Sequence, residues 1–530
     1  MRVIMFDNSL SSRFLQSSLF LWMLSAGISF ADRSTSSFVD ARRQLWRSIE
    51  AASMTGGDRT QMGHRSRQWR AKAKPGRFVN DHMLARRQWN YLSSTKSPSI
   101  VGHWKELAKK LELNTMWPGT GRFANESFLL NTTEDFVRQE GYPVERHTVI
   151  TSDGYNLTLH RIPYSKFQDP TIKRPVIIVQ HGILCSSTDW VISGRNGSLG
   201  FILSDAGYDV WLTNTRGNSY SRNHLTLNPA QEPEKFWDFS WHEMGTIDLP
   251  NMIDYILEVT GEPDVGYVGH SMGTTMFYVM CSEKPEYAKK VRSMASLAPI
   301  AFLNHVKSPI MAFLASVADP LAWLCGVLGY YEFRPNGKLM LFAGKSFCES
   351  SFAPRGICDN LLFLFAGYDS KRLTNNVLPV ILAHTPAGAS ARQLTHYAQL
   401  MKRDRWFGMY NYNKQKNLDI YGQVEPLAYD LNKVTMPVAL YYASNDWMST
   451  VEDVDVLANL LPNLKEKRLM PYPEFNHLDF LWATGIKMIV YDDLIRFMKI
   501  HDRKYLHVIE NSEEIDKNVV SNESNKFEFE

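Results

Sequence analysis

Net charge is nearly absent from this chain of 530 residues, because 58 lysine and arginine residues are balanced by 55 aspartate and glutamate residues. A formal charge of +3 gives no electrostatic reason to expect a nucleic-acid partner. The distribution is uneven, however: residues 32–110 are rich in arginine and lysine, and residues 510–530 are mostly acidic. Both stretches are poor in periodic apolar residues, so we expect solvated extensions rather than parts of a core.

Apolar runs long enough for a comfortable membrane span, which needs roughly 20 residues, are also absent. The run from Leu19 to Phe30 follows two arginines and ends at small residues, which is the pattern of a signal peptide over residues 1–31. A retained signal anchor is the alternative, because Asp7 and a polar Gln-Ser-Ser stretch make the segment imperfect.

A secretory route is supported by glycosylation sequons, which stand at Asn125, Asn131, Asn156, Asn196 and Asn522. We predict glycosylation among the first four of these. The predicted destination is outside the cell or the lysosome.

Cysteine is scarce, and the five cysteines form no Cys-x-x-Cys motif and no Cys/His cluster. We therefore expect no metal site and no cofactor. The odd number implies at least one free thiol or an intermolecular bond. Cys348 and Cys358 lie close together in a segment rich in Ser, Pro and Gly, and we predict a disulfide between them. Cys185 and Cys281 lie in apolar surroundings, so we predict that they are buried and unreactive.

From about residue 145, short β-branched runs alternate with helical patterns. Predicted strands cover residues 175–180, 208–213, 265–268, 437–442 and 467–470. A capping box at Ser240–Glu243 opens a predicted helix that ends at Gly261, and a last amphipathic helix is predicted around residues 481–498. Apolar strands that alternate with helices indicate an α/β fold with a mostly parallel central sheet and helices on both faces.

Residues 301–430 interrupt this alternation. Apolar side chains recur at helical spacing between residues 309 and 331, a pattern that ordinary helical core also produces. Because the insertion lies between two strands of the sheet, we interpret it as a helical lid or cap over an active site. Asp319-Pro320 divides the apolar run, which argues against a transmembrane hairpin. The α/β core is placed at 111–300 and 431–505, with an acidic tail at 506–530.

One serine, Ser271, lies between two glycines in the sequence GYVGHSMGTT at 266–275. The pattern G-x-S-x-G alone is weak, but here it follows a predicted strand and opens a predicted helix, which is the setting of a nucleophile elbow. Such a turn strains the serine backbone and packs the helix tightly against the strand. Side chains at Gly269 and Gly273 would therefore collide with their neighbours.

A serine hydroxyl needs a base, and in this architecture the acid and the histidine follow the serine along the chain. Asp446 directly follows the predicted strand 437–442, and His477 follows the next strand. The nearby carboxylates of Glu452, Asp453 and Asp455 fall in a predicted helix, where a solvated face is the better interpretation.

Asp479, two residues after His477, is interpreted as a structural carboxylate or one that supports the site. The oxyanion formed during acyl transfer needs two backbone N–H donors. One is expected from Met272, the residue after the serine, and the other from the loop after residue 180. In that loop we favour Ile183, with Leu184 as the alternative register.

Together these residues and their neighbours resemble the acid lipase family, which contains gastric lipase and lysosomal acid lipase within the α/β-hydrolase fold. The resemblance covers roughly residues 112–500. It rests on DGYNLTLHRIPYS at 153–165, QHGIL at 180–184, DVWLTNTRGNSYSR at 209–222, KFWDFSWHEMGTIDLP at 235–250, GYVGHSMGTT at 266–275, HTPAGAS at 384–390, SND at 444–446 and NHLDFLW at 476–482.

The resemblance implies that Ser271, Asp446 and His477 are nucleophile, acid and base. It also implies a lid domain between sheet strands, and a disulfide where Cys348 and Cys358 fall.

The chain departs from the family at two places. Mammalian members have Gln where this chain has Met272, which leaves the backbone donor intact. The basic segment 32–110 has no counterpart that we recognise, and it is interpreted as a disordered extension or a propeptide. Arg67-Gln-Trp-Arg70 within it matches a processing site, but R-x-x-R is a common accident in so basic a stretch.

The predicted function is hydrolysis of neutral lipid esters, triacylglycerol or sterol ester, at a lipid–water interface, without a stable membrane span and without a nucleic-acid partner. One alternative is an esterase that acts on small soluble esters. A second alternative is a non-catalytic lipid-binding or yolk-type protein on the same scaffold. Such proteins commonly lose a member of the catalytic triad, whereas this chain keeps all three.

Overall fold

The structure is a computed structural model, and it describes residues 131–309, 311–312, 315–316, 331–333, 366–367 and 377–502. Every described residue belongs to one compact unit, Gly119–Glu530. Several predicted features lie outside the described residues: the signal peptide, the basic extension, the acidic tail, Asn125, the Cys348–Cys358 disulfide and most of the apolar stripes at 309–331.

The strands alternate with helices along the second unit, as the sequence predicts. The described strands are β1 Glu145–Ile150, β2 Tyr155–Ile162, β3 Val176–Gln180, β4 Asp209–Leu212, β5 Asn223–His224, β6 Val265–His270, β7 Val291–Leu297, β8 Glu332–Phe333, β9 Ala389–Ser390, β10 Val438–Tyr442 and β11 Leu464–Leu469. All five predicted strands are therefore present, with β11 beginning three residues earlier than expected. The strands β1, β2, β5, β7, β8 and β9 were not predicted.

The helices fill the intervals between these strands. The described α-helices are α1 Thr133–Gln139, α2 Leu199–Asp205, α3 Pro233–Phe236, α4 Trp241–Glu243, α5 Leu249–Thr260, α6 Met272–Glu283, α7 Leu378–His384, α8 Ala391–Met401, α9 Lys414–Tyr421, α10 Val451–Leu460, α11 Asp479–Trp482 and α12 Asp492–Ile500. Short 3-10 helices lie at Ser187–Trp190, Pro285–Lys290 and Leu431–Lys433, and π-helical turns lie at Met244–Asp248 and Lys487–Tyr491. None of the described helices is both long and apolar enough to cross a bilayer.

One sheet of nine strands, counted among the described residues, runs in the order β1-β2-β4-β3-β6-β7-β10-β11, with β5 paired to β2. The neighbouring strands in the part β4-β3-β6-β7-β10-β11 of this order pair in parallel, and the β1-β2-β4 edge is antiparallel. Strands β3, β6 and β10 are buried along their whole length. This agrees with their continuous apolar sequences, because helices cover both faces of a parallel sheet. The predicted α/β class is confirmed.

Alternate residues of β3 enter two different hydrophobic clusters. Val176 and Ile178 pack in the cluster with α5 and α6, and Ile177 and Val179 pack in the cluster with α2 and α12. Each fully buried side chain of this size contributes about 1.5–3 kcal/mol. The sheet thus separates two cores, and its carboxyl edge is held rigidly from both sides.

The prediction of one continuous last helix around residues 481–498 is wrong. The structure has α11, then a break, then a π-helical turn that leads into α12. Gly485 lies in the break with φ of +76°, a left-handed conformation that glycine adopts easily. The capping box at Ser240 and the helix end at Gly261 are present as predicted, with φ of +64° at Gly261.

The insertion at 301–430 is described only in part, so the lid remains a prediction. Its described end does not stand apart from the core. Tyr397 and Leu400 of α8, together with Phe407, belong to the same hydrophobic cluster as α5 and α6. Cys185 and Cys281 are buried free thiols, in agreement with the prediction.

A buried ion pair ties the antiparallel edge to the helices. The Arg216 guanidinium donates to Asp248 at 2.7 Å and to Asp153 at 2.6 Å, and it lies 4.0 Å from the centre of the Tyr155 ring. Arg216 and Asp248 are almost fully buried. Burial raises the pKa of the Asp248 carboxyl, and the Arg216 charge opposes that rise.

Arg216→Leu should lower the free energy of unfolding by about 3–5 kcal/mol, because it leaves the Asp248 carboxylate buried without its partner. Chemical denaturation of the purified protein measures this change. Arg138→Leu is the matched control, since Arg138 pairs with Asp135 on the surface and such pairs contribute about 0–1 kcal/mol. Equal losses in the two variants would contradict the argument.

Candidate active site

Ser271 joins the end of β6 to the start of α6, as the elbow prediction requires. Its backbone has φ of +53° and ψ of −118°, a conformation that is costly for a residue with a side chain. A Cβ atom at Gly269 would lie 2.9 Å from the Gly273 carbonyl carbon, and one at Gly273 would lie 2.7 Å from the Gln180 carbonyl oxygen. Both positions therefore require glycine, for the reason that the sequence predicts.

The structure brings His477 against the serine. The Nε2 atom of His477 lies 2.9 Å from the Oγ atom of Ser271, and its Nδ1 atom lies 2.8 Å from Oδ2 of Asp446. His477 and Ser271 are 7% and 5% exposed, so the hydrogen bonds are shielded from bulk water, and Asp446 is fully buried. Three residues from the loops after β6, β10 and β11 are thus joined by two consecutive hydrogen bonds at the carboxyl edge of the sheet.

The Asp446 carboxylate is oriented by its own loop. Its Oδ1 atom accepts the backbone N–H groups of Met448 and Ser449, each at 2.8 Å. Those two bonds leave Oδ2 directed at the His477 ring. An aspartate held in this way favours the tautomer of the imidazole that carries its proton on Nδ1 and offers Nε2 to the serine.

His270 makes a contact that the sequence analysis missed. Its Nε2 atom donates to the backbone carbonyl of His477 at 2.9 Å, which joins the residue before the serine to the loop that carries the histidine. Burial lowers the pKa of His270 well below its ordinary value, so the ring is neutral. Nothing in the G-x-S-x-G pattern indicates this contact, because it joins loops that are 207 residues apart in the chain.

The two predicted oxyanion donors lie in loops that meet beside Ser271. Met272 is the first residue of α6, where helix N–H groups have no partner within the helix. A Cβ atom at Gly182 would lie 3.1 Å from the Ser271 Cβ atom, which places the loop with Ile183 against the serine. Within the described part of the chain, neither the Met272 nor the Ile183 N–H donates to a protein acceptor. Leu184, the alternative donor, has φ of +62°.

The other carboxylates pair with groups other than Ser271. Glu452 and Asp455 are exposed on α10, as predicted. For Asp453 the predicted solvated face is wrong, because its side chain is buried. It accepts the backbone N–H of His305 at 3.0 Å and pairs with the His305 ring at 2.8 Å. Asp479 accepts the Asn476 N–H at 2.7 Å, which is the structural role expected of it.

A second serine, histidine and acid also lie together, in the interior. Nδ1 of His160 lies 2.8 Å from Oγ of Ser187, and its Nε2 lies 3.2 Å from a Glu134 carboxylate oxygen. Burial opposes ionisation of Glu134, yet the hydrogen bond and charge of His160 lower its pKa to about 2. Ser187 is fully buried, and its hydroxyl also contacts Thr133 and Asn214. The arrangement braces the loop after β3, and its serine is fully shielded from solvent.

Two buried titratable residues flank the loop with Ile183. Burial lowers the pKa of His181 to about 4, so its ring is neutral near pH 7, and Nδ1 donates to the Gly182 carbonyl at 2.7 Å. Burial raises the pKa of Asp189 to about 6, although that carboxyl accepts the Ser186 N–H at 2.8 Å and the Thr385 hydroxyl at 3.0 Å.

No cluster of three metal-binding side chains occurs in the described part of the chain.

Comparison with known proteins adds independent information. Residues 133–194 match the model of a partial alpha/beta-hydrolase lipase region, and residues 175–328 match the alpha/beta hydrolase fold. The chain is 40% identical over 400 residues to Lipase 3 of Drosophila melanogaster, an alignment that covers 74% of this chain and 99% of that protein. It belongs to the α/β-hydrolase lipase family.

Vertebrate and nematode relatives agree. The gastric triacylglycerol lipase of Mus musculus is 40% identical over 361 residues, with 68% of this chain and 89% of that protein covered. Lipase lipl-1 of Caenorhabditis elegans is 38% identical over 375 residues, with 69% and 91% covered. The predicted resemblance to lipases of the gastric type is confirmed, and with it the assignment of this chain as a carboxylic ester hydrolase of the lipase class.

Asp189→Asn should flatten the pH dependence of stability between pH 4 and pH 7. A carboxyl whose folded pKa is raised stabilises the fold most below its unfolded pKa of 3.8, and that stabilisation is lost as the pH rises through about 6. The stabilisation from Asp189 that is lost amounts to roughly 3 kcal/mol. Thermal unfolding at pH 4 and at pH 7 should therefore show a smaller fall in stability with rising pH for Asp189→Asn than for the wild type.

The exposed Asp404→Asn is the matched control, and it should keep the wild-type pH dependence. A wild-type response in Asp189→Asn would refute the assignment of this dependence to Asp189.

Proposed function

We propose that the chain hydrolyses the ester bonds of neutral lipids, triacylglycerol or sterol ester, with Ser271 as nucleophile, His477 as base and Asp446 as the acid of the triad. One observation carries the proposal: the continuous hydrogen bonds from the Ser271 hydroxyl through His477 to Asp446, at 2.9 and 2.8 Å. The relatives named as triacylglycerol lipases support the choice of substrate.

In the proposed mechanism, His477 Nε2 takes the Ser271 proton as Oγ forms a bond to the ester carbonyl carbon. The carbonyl π electrons move to oxygen, and the N–H groups of Met272 and Ile183 stabilise the resulting oxyanion. Collapse of this intermediate breaks the bond to the alcohol, which receives the proton from His477. Water, deprotonated by His477, then attacks the acyl-enzyme, and the fatty acid leaves as Ser271 regains its proton.

Burial of Asp446 is central to this mechanism. The imidazolium that forms at His477 lies 2.8 Å from the carboxylate, in a place where water screens little of the attraction. The same carboxylate keeps the ring from rotating between turnovers. His270 restrains the backbone of the same loop through its bond to the His477 carbonyl.

We also propose a secretory destination and a lipid–water interface as the place of action. The described sequons differ in access. Asn196 is exposed, whereas the Nδ2 atom of Asn131 is buried. Asn156 lies half-buried on β2. Glycosylation is therefore proposed at Asn196 in the first place, and it is not proposed at Asn131 in the folded protein.

Ser271→Ala should reduce hydrolysis by about 10⁴-fold or more and abolish labelling by a fluorophosphonate probe, because it removes the nucleophile. Asp446→Asn should also lower kcat by several orders of magnitude, since it disturbs the His477 tautomer. Ser193→Ala is the matched control, because the Ser193 hydroxyl makes no hydrogen bond in the described chain. Labelling or turnover that survives in Ser271→Ala would reject the assignment, and an unlabelled folded wild type would favour a lipid carrier.

The substrate class is tested with emulsified triacylglycerol, emulsified cholesteryl ester and a short-chain ester taken across its solubility limit. A lipase should gain rate once the short-chain ester exceeds its solubility and should hydrolyse at least one of the long-chain emulsions. Saturation below the solubility limit, with no activity on either emulsion, would instead identify an esterase for small soluble substrates.

A further inference from the structure

One segment of the insertion, residues 385–397, contacts both sides of the proposed oxyanion site. Toward the first side, the Ala387 N–H donates to the Leu184 carbonyl at 2.6 Å, next to Ile183. Toward the second side, Nε2 of Gln393 lies 3.0 Å from the Met272 sulfur. We call residues 385–397 the clamp segment.

One further contact reinforces each of these two sides. The Thr385 hydroxyl donates to Asp189 at 3.0 Å, and Asp189 in turn accepts the Ser186 N–H of the loop after β3. The Tyr397 hydroxyl lies 2.9 Å from Oγ1 of Thr275, one turn along α6 from Met272. The clamp segment is therefore fastened twice to the loop that carries Ile183 and twice to the first turn of α6.

The orientation of the Gln393 amide is determined by its own helix. Its Oε1 atom accepts the Ser390 N–H at 2.7 Å, as the last part of the capping box of α8. The Nε2 atom must then face the sulfur atoms of Met272 at 3.0 Å and Met244 at 3.6 Å. Gln393 is only 1% exposed, so solvent offers its N–H groups no alternative partner.

The Met272 side chain and the Met272 N–H belong to the same first turn of α6. A thioether is a weak acceptor. A buried amide whose only acceptors are thioethers nevertheless loses its hydrogen bonds if those sulfur atoms are removed, and this loss destabilises the protein. The contact with Gln393 thus restrains the residue whose backbone N–H is the proposed oxyanion donor. A displacement well below 1 Å weakens such a bond to an oxyanion, which accepts only over a narrow range of distance and angle.

We propose that Gln393 is a positioning residue, through which the clamp segment sets the distance between the N–H groups of Met272 and Ile183. This inference rests on the proposed function, because it concerns the same oxyanion site. Gln393 touches no reacting atom and acts through Met272. The part of the insertion that contains α8 accordingly serves as a fixed wall of the site.

The expected signature is a loss in kcat with little change in KM. Oxyanion donors bind the charged intermediate more strongly than the neutral ester, so misplacing them raises the barrier and leaves substrate binding nearly intact. Removal of such a donor costs about 10²–10³-fold in kcat, and we expect about tenfold for a donor that is only displaced.

The test uses Gln393→Leu, Met272→Leu and the double variant, with a water-soluble short-chain ester as substrate. Each single variant should lower kcat about tenfold and change KM by less than about twofold. The double variant should be no slower than the slower single variant, because both changes break one contact. Met272→Leu keeps the capping box of α8, so it separates the sulfur contact from the stability of that helix, and it carries the test if Gln393→Leu fails to fold.

Gln399→Leu is the matched control on the same helix. Its amide bonds the Asn411 backbone at 2.8 Å, away from Met272, so this variant should keep the wild-type kcat even if its thermal midpoint falls. Wild-type kcat in Gln393→Leu and Met272→Leu, or losses that multiply in the double variant, would overturn the proposal. Ser271→Ala is assayed alongside: full activity in that variant would reject the proposed function itself.

Discussion

The backbone conformation of Ser271 is the constraint on which the rest of the site depends. A side-chain-bearing residue with φ of +53° costs of order 1–3 kcal/mol, and it persists only where the surroundings hold it. Here β6 and α6 hold it, because glycine at 269 and 273 lets the helix approach the strands until backbone atoms touch. That approach raises the hydroxyl above the sheet edge, at the positive end of α6.

The neighbouring loops are arranged around that raised hydroxyl. Parallel strands end at the same edge of the sheet, so the loops after β3, β6, β10 and β11 converge there although they are distant in the chain. Each group of the proposed site is held by contacts of its own: Asp446 by two N–H groups, His477 through its carbonyl, and Leu184, next to Ile183, by the clamp segment. The site is thereby preorganised, and a reaction in it needs little rearrangement of protein dipoles.

Several buried polar groups among the described residues have partners that serve the scaffold rather than the proposed chemistry. Arg216 binds Asp248, Asp453 holds the His305 backbone, and the interior Ser187–His160–Glu134 arrangement braces the loop after β3. A polar residue type is therefore a poor guide to function by itself. Access to the sheet edge separates the Ser271 group from the Ser187 group, and only the folded structure shows access.

The sequence by itself determined the α/β class, five strand positions, the glycine-bounded turn at Ser271 and the chain order of serine, aspartate and histidine. These follow from local backbone preference and apolar periodicity, which a short stretch of chain carries within itself. Tertiary structure alone decided that Asp453 is buried and that His270 and Gln393 contact the site. Such contacts join residues many positions apart, and their geometry arises only when both helical layers pack against the sheet.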